Sequence, residues 1–207
     1  MKKIVLRRLV LVAGVSCLLA ACGGGGDGGA GTAADSGAAA PGAAMGTLRL
    51  ALTDAPACGF DKVFVTVEKV RVHQSSSSGE LEAGWSELVL APARRLDLLS
   101  LTNGVLMELG QKSLPAGKYQ QLRLVLAENA ASAPFANAVI PTGSKDEVAL
   151  ATPSAEQSGL KLKTNIDVIA NQTADFVIDF DACKSIVTTG NGKYLLKPVL
   201  TVAARTS

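Results

Sequence analysis

From Gly46 onward the chain alternates apolar and polar positions with a period of two. Leu48, Leu50 and Leu52 alternate with Arg49, Ala51 and Thr53, and Val63, Val65 and Val67 alternate with Phe64, Thr66 and Glu68. Successive side chains of a strand point to opposite faces, so this period predicts strands with one face buried. The second run slips phase at Glu68-Lys69 and resumes at Val70 and Val72, as one extra residue in a β-bulge would cause. Further strands are predicted at Ser86–Leu90, Leu96–Leu101, Val105–Leu109, Tyr119–Ala127, Glu147–Leu150, Ile166–Ile169, Thr173–Phe180 and Tyr194–Ala203. Turn signals separate them at Ser75–Gly79, Asn103-Gly104, Pro115-Ala116-Gly117, Pro141-Thr142-Gly143 and Gly190-Asn191-Gly192. Many short strands punctuated in this way predict an all-β domain over residues 46–207, built as an antiparallel β-sandwich. Pro198 marks an edge position or a strand break, because it has no N–H for the ladder. No amphipathic helix of useful length is evident; Asp97–Leu101 is open to a single helical turn instead of a strand.

The first 45 residues follow other rules. Lys2, Lys3, Arg7 and Arg8 precede an apolar run, Leu9 to Leu19, that is too short to span a bilayer and suits the hydrophobic part of a signal peptide over residues 1–21. The run ends in Leu19-Ala20-Ala21-Cys22, which resembles the bacterial lipobox. That resemblance implies cleavage before Cys22, with diacylglycerol on its thiol. Two acyl chains such as palmitate, each buried methylene contributing about 0.8 kcal/mol, give a stable membrane anchor without a spanning helix. Gly23 follows the cysteine, not the Asp that holds the lipoproteins this resembles at the inner membrane, so the resemblance implies the outer membrane in a Gram-negative cell, on its periplasmic or surface face. Residues 22–45 are rich in Gly and Ala and hold no bulky apolar residue before Met45, so they read as a disordered tether. A Gly-rich coil of about 24 residues reaches roughly 25–30 Å.

The signal peptide changes the charge balance. The whole chain carries 20 Lys and Arg against 18 Asp and Glu, and four of the basic residues lie in the first eight positions. The mature chain is therefore slightly acidic, with no basic field for a phosphate backbone, and nucleic acid is excluded as a partner. A single His, His73, and 4% aromatic residues remove most metal-hydrolase and base-stacking readings.

Several segments carry a family likeness. Thr53-Asp54-Ala55-Pro56, Leu114-Pro115-Ala116-Gly117-Lys118-Tyr119, Asp179-Phe180-Asp181 and Leu196-Lys197-Pro198 resemble the bacterial lipoprotein family of unknown function DUF 4382, over approximately residues 46–203. The Pro-Ala-Gly-x-Tyr turn is also similar to transthyretin-like sandwiches, so a transthyretin-like or immunoglobulin-like arrangement is expected. The family resemblance implies an extracytoplasmic β-sandwich and brings no established activity.

Of the four cysteines, Cys17 is lost with the signal and Cys22 is the lipid site, which leaves Cys58 and Cys183 in an oxidising compartment. They are expected to form a disulfide; two separate buried thiols are the alternative. The bridge would draw Asp54, Asp61, Asp179 and Asp181 to one end of the sandwich, where their carboxylates could converge on Ca²⁺. The competing reading makes Asp54 and Asp61 turn residues and leaves Asp179 on a solvent face.

No catalytic residue is assigned. His73 lies beside Gln74 and the Ser75–Ser78 run, yet no serine sits in a G-x-S-x-G frame. Gly190-Asn191-Gly192-Lys193 lacks the spacing of a P-loop and reads as a hairpin turn. Segment Gln74–Gly84, polar and flanked by His73 and Trp85, is the expected recognition loop, with Trp85 open to a core role instead. The reading is a lipid-anchored binding module for an envelope protein or a surface polysaccharide. A hydrolase using the same aspartates and a purely structural envelope component are the alternatives.

Overall fold

The computed structural model describes residues 42–55 and 59–205; the expectations for the signal peptide, Cys22, the tether through residue 41 and Cys58 lie outside them. Twelve strands form two sheets. The four-stranded sheet runs β12-β9-β1-β4, with β1 at Met45–Asp54, β4 at Met107–Pro115, β9 at Thr173–Phe180 and β12 at Leu200–Ala204. The eight-stranded sheet runs β10-β11-β7-β6-β2-β5-β8, with β3 also paired to β2. Its members are β2 (Phe60–His73), β3 (Ser86–Asp97), β5 (Gly117–Leu126), β6 (Ala138–Pro141), β7 (Val148–Ala151), β8 (Leu160–Val168), β10 (Ile186–Thr188) and β11 (Tyr194–Leu196). The sheets do not close into a barrel, and the all-β sandwich class expected from the alternation is what forms.

The alternating residues of the sequence face each other in the core. Leu48, Leu50 and Leu52 of β1, Val63, Val65, Val67, Val70 and Val72 of β2, Leu122, Leu124 and Leu126 of β5, and Ile178 and Phe180 of β9 are all buried in one cluster. Removing such apolar area from water is the main term favouring the fold. The phase slip at Glu68-Lys69 is a bulge: the register of β2 against both β3 and β5 shifts between Val67 and Lys69. It lets Val67 and Val70 both point inward, three residues apart.

Several boundaries differ from the periodic reading. The run Ser86–Leu90 and the first two residues of the run Leu96–Leu101 belong to one strand, β3, which leaves the ladder at Leu90–Ala93, and Leu98–Leu101 is the helical turn, a 3-10 one. Tyr194–Ala203 is split at Pro198 into β11 and β12, which join different sheets. β6, β10, the first half of β8 and two short helices, α1 (Pro153–Gln157) and α2 (Ala182–Ser185), carry too few residues for a period to show. The pairing is also not wholly antiparallel. β1 and β9, the central pair of their sheet, are parallel, and so are β7 and β11. Alternation reports burial of one face and is blind to the direction of the neighbour.

β2 has a forked edge. One side pairs with β3, and the other pairs first with β6, over Phe60–Phe64, and then with β5, over Val67–His73. At the fork the ladder lacks a strand, and Asn137 takes its place. The side chain of Asn137, fully buried, accepts from the Thr66 N–H at 3.0 Å and donates to the Ala127 carbonyl at 2.7 Å. Asn129 holds Asn137 in turn, accepting from its N–H at 2.6 Å and donating to its carbonyl at 3.0 Å. Buried backbone groups must find partners, and two amides supply them here.

Candidate functional site

His73 ends β2 on the outer face of the larger sheet, opposite Gln121 of β5, and Arg71 stands opposite Arg123. The Gln74–Gly84 loop folds back over this face instead of extending into solvent. Ser78, only 3% exposed, lies beneath it, with its hydroxyl 2.7 Å from His73 Nδ1. The Ser75 N–H donates to the same nitrogen at 2.9 Å, while Nε2 lies 3.0 Å from the Ala83 carbonyl. With Nδ1 receiving the Ser75 N–H and Nε2 facing a carbonyl, the ring carries its proton on Nε2 and accepts from Ser78.

The loop is fixed from below as well. The Ser78 carbonyl accepts from Arg123 Nη2 at 3.0 Å and from Gln121 Nε2 at 3.3 Å. Trp85 Nε1 donates to the Gly79 carbonyl at 2.9 Å. The Trp85 ring meets two guanidiniums, Arg71 at 4.7 Å and Arg123 at 4.8 Å from its centroid, and the His73 ring at 5.1 Å. Cations over a partly desolvated indole contribute on the order of 1–2 kcal/mol each. Burial is the main reason the Arg123 pKa is lowered, and the neighbouring Arg71 charge adds to it. Gly84 sits at φ +97° with His73 Nε2 only 2.8 Å from where a Cβ would stand, so this position admits no side chain without displacing the ring.

Trp85 therefore belongs neither to the core nor to a free platform. It is a half-buried staple on the outer face, and His73 is its partner in holding the loop. The Ser78–His73 pair has the hydrogen bond of a nucleophile and its base, but the third member is a backbone carbonyl and the hydroxyl is buried under the loop. Gln121 and Arg123 were invisible in the sequence as part of this arrangement. In Gln121-Leu122-Arg123-Leu124 they alternate with core leucines and read as solvent-facing; only the returning loop buries them.

The acidic residues each have their own contacts. Asp54 closes β1 opposite Phe180, is 4% exposed, and accepts the Ala182 N–H at 2.9 Å through Oδ1. Its second oxygen is buried and has no hydrogen-bond partner among the described residues. Burial pushes its pKa up to about 6, the Ala182 and Ala55 N–H groups pull the other way, and the Asp179 and Asp181 charges raise it further. Asp181 caps α2, accepting the Lys184 N–H at 3.0 Å, and pairs with the Lys184 ammonium at 2.6 Å, which lowers its pKa. Asp61 makes a separate contact, accepting the Gly143 N–H at 3.3 Å in the turn after β6. Asp54, Asp179 and Asp181 lie close enough to feel one another's charge, while Asp61 bonds the turn at Gly143. Among the described residues no three His, Cys, Asp or Glu side chains are grouped to hold a metal ion. Asp54 is a buried acceptor, Asp181 a helix cap and Asp61 a turn contact.

These features define an all-β two-sheet domain whose larger sheet carries a clamped polar loop on its outer face. The chain matches the family described as Domain of unknown function (DUF4382) over residues 45–198, and it belongs to that family. No curated protein and no solved structure matches it. The segments that carried the resemblance occupy structural positions. Asp54 receives α2, Tyr119 is buried with its hydroxyl donating to the Pro115 carbonyl at 3.0 Å, Asp181 caps α2, and the Lys197 N–H donates to the Ser185 carbonyl at 2.7 Å.

Proposed function

We propose that the protein is a lipid-anchored, non-catalytic binding module of the bacterial cell envelope, held at the outer membrane through Cys22 and engaging an envelope protein with the exposed side of the Gln74–Gly84 loop. The observation that carries this reading is the clamp itself. Two arginines, a glutamine, a histidine and a tryptophan are committed to holding eleven residues in one conformation, and a loop held rigid on a scaffold binds without the entropy cost of ordering. Its outward residues are Glu80, Leu81 and Glu82, and Leu81 is 96% exposed.

A photo-crosslinking residue placed at Leu81 in cells is expected to give a discrete protein adduct that is absent when it is placed at Lys163, an exposed position on β8. Trp85→Ala, which frees the loop while leaving Leu81 in place, should reduce the adduct by about 10-fold, the equivalent of roughly 1.4 kcal/mol of preorganisation. Equal adducts at both positions, or an adduct indifferent to Trp85→Ala, would remove the loop from the recognition surface.

The same reading includes a Cys58–Cys183 disulfide. It is supported by Cys183 being engaged and not a free thiol, and by the hydrogen bonds from Ala55 N–H to the Phe180 carbonyl and from Ala182 N–H to Asp54, which bring the chain next to Cys58 alongside the Cys183 turn. Intact mass measurement of the protein from membranes is expected to show a diacylglyceryl adduct on a chain starting at Cys22, and alkylation only after reduction. An unlipidated mass, or alkylation without reductant, would sink the anchor or the bridge respectively.

A further inference from the structure

On the flank of the larger sheet, away from the clamped loop, lies a groove of about 530 Å³ between β7, α1 and β11. Its lining is mostly apolar and includes Val148, Ala149, Ala151, Pro153 and Tyr194. The Tyr194 ring is fixed edge-on against Phe60, with centroids 5.5 Å apart at an interplanar angle of 77°. Two charges of opposite sign stand at its walls, Glu156 and Lys193. Glu156 is preset, because the buried Thr152 hydroxyl donates to Oε1 and leaves Oε2 uncommitted. Lys193 Nζ and Tyr194 Oη make no hydrogen bond within the described residues.

Each competing ligand meets a physical objection. An acyl chain would desolvate a carboxylate and an ammonium without replacing their hydrogen bonds. A polyanion would find one cation opposed by one carboxylate. An extended peptide could not add as a strand, because β7 is already paired on both edges, to β6 and to β11. A pyranose meets none of these objections. It presents a flat C–H face to an apolar floor and a rim of hydroxyls, each both donor and acceptor, to a donor-only ammonium, an acceptor-only carboxylate and a phenol. The volume falls in the range that encloses small ligands.

We infer that this groove binds one sugar residue of an envelope polysaccharide, its C–H face against Val148, Pro153 and Tyr194 and its hydroxyls shared among Glu156, Lys193 and Tyr194. The inference rests on the reading of the protein as a binding module and gives it a second ligand class, at a site separate from the loop. One aromatic ring makes a single subsite, so the affinity for a free monosaccharide is of millimolar order, about −4 kcal/mol.

The test uses the full chain in a detergent without a sugar headgroup, with labelled Ala and Val methyls, titrated with glucose, galactose and N-acetylglucosamine to about 50 mM, some tens of times that millimolar order. At least one sugar is expected to shift Val148, Ala149 and Ala151 selectively. Tyr194→Phe and Lys193→Ala, which keep the floor and the fold, should each weaken that binding by about 3- to 10-fold, the worth of one hydrogen bond. No methyl shift with any of the three sugars overturns the inference, as do shifts unaffected by both substitutions. So does a tetra-alanine peptide that moves these methyls where no sugar does. The adduct at Leu81 is measured independently, so loss of the sugar site and loss of the loop surface are distinguishable.

Discussion

Asn137→Ala is expected to lower the unfolding free energy by about 3–4 kcal/mol, the largest single effect of a polar residue in this domain. The side chain is fully buried at the point where one edge of β2 passes from β6 to β5, and it bonds the backbone on each side of that gap. Truncation leaves the Thr66 N–H and the Ala127 carbonyl in the interior without partners. Each orphaned group costs about 1–3 kcal/mol, because water that would have compensated it in the unfolded chain cannot reach it. Urea unfolding followed by far-ultraviolet circular dichroism should show the midpoint falling with the slope unchanged. Asn129→Ala, which removes the support of Asn137 but leaves Asn137 able to bond Thr66, should cost less. A loss below about 1 kcal/mol for Asn137→Ala would mean that the two strands are held by their remaining ladder and that the amide is dispensable.

The second large effect is a pH dependence centred on Asp54. Its carboxyl is raised from 3.8 to about 6 in the folded protein, chiefly by burial, so between those values the native state holds a proton that the unfolded chain has released. Stability from this group is fully present below pH about 4 and is lost as the pH rises through about 6. A shift of roughly two units corresponds to at most about 3 kcal/mol, and partial screening of the carboxyl reduces it to about 1–2 kcal/mol. Asp54→Asn keeps an oxygen to accept the Ala182 N–H and has no proton to lose. The difference in unfolding free energy between wild type and Asp54→Asn should therefore move by about 1–2 kcal/mol between pH 4.5 and pH 7.5, with the variant gaining relative to the wild type at the higher value. Asp181 works in the opposite sense: Lys184 depresses its pKa, so its contribution is lost only as the pH falls below the ordinary carboxylate range, outside the interval compared. A constant difference across this range would show that Asp54 ionises without penalty and that its environment is wetter than its exposure indicates.

The positions that make the chain recognisable as a member of its family are those that close the fold. The side chains of Asp54, Tyr119 and Asp181 all satisfy backbone groups at turns or helix ends. Such positions tolerate few residue types because an orphaned backbone group is costly, which makes them visible as motifs while saying nothing about ligands. The exposed residues proposed to contact partners, Leu81 and Lys193, lie outside every one of those segments.

What could be determined from the sequence was local. The bulge at Glu68-Lys69 and the break at Pro198 follow from the phase of a few neighbouring side chains or from a missing N–H, and each appears where those residues place it; at Asp97–Leu101 the pattern left strand and helical turn open, and the turn forms. The sandwich class follows from repeating that pattern along the chain. Only the tertiary structure decided which strands became neighbours. It set β1 parallel to β9 across more than a hundred residues, gave β2 two partners on one edge with Asn137 between them, and folded a polar loop over Arg123 and Gln121. It also set Asp61 against the Gly143 N–H in the turn after β6. Periodicity records which face of a strand is buried, but partner, direction and cover are long-range choices made by the summed fit of both sheets. The same alternating residues are compatible with many such choices, and packing selects among them.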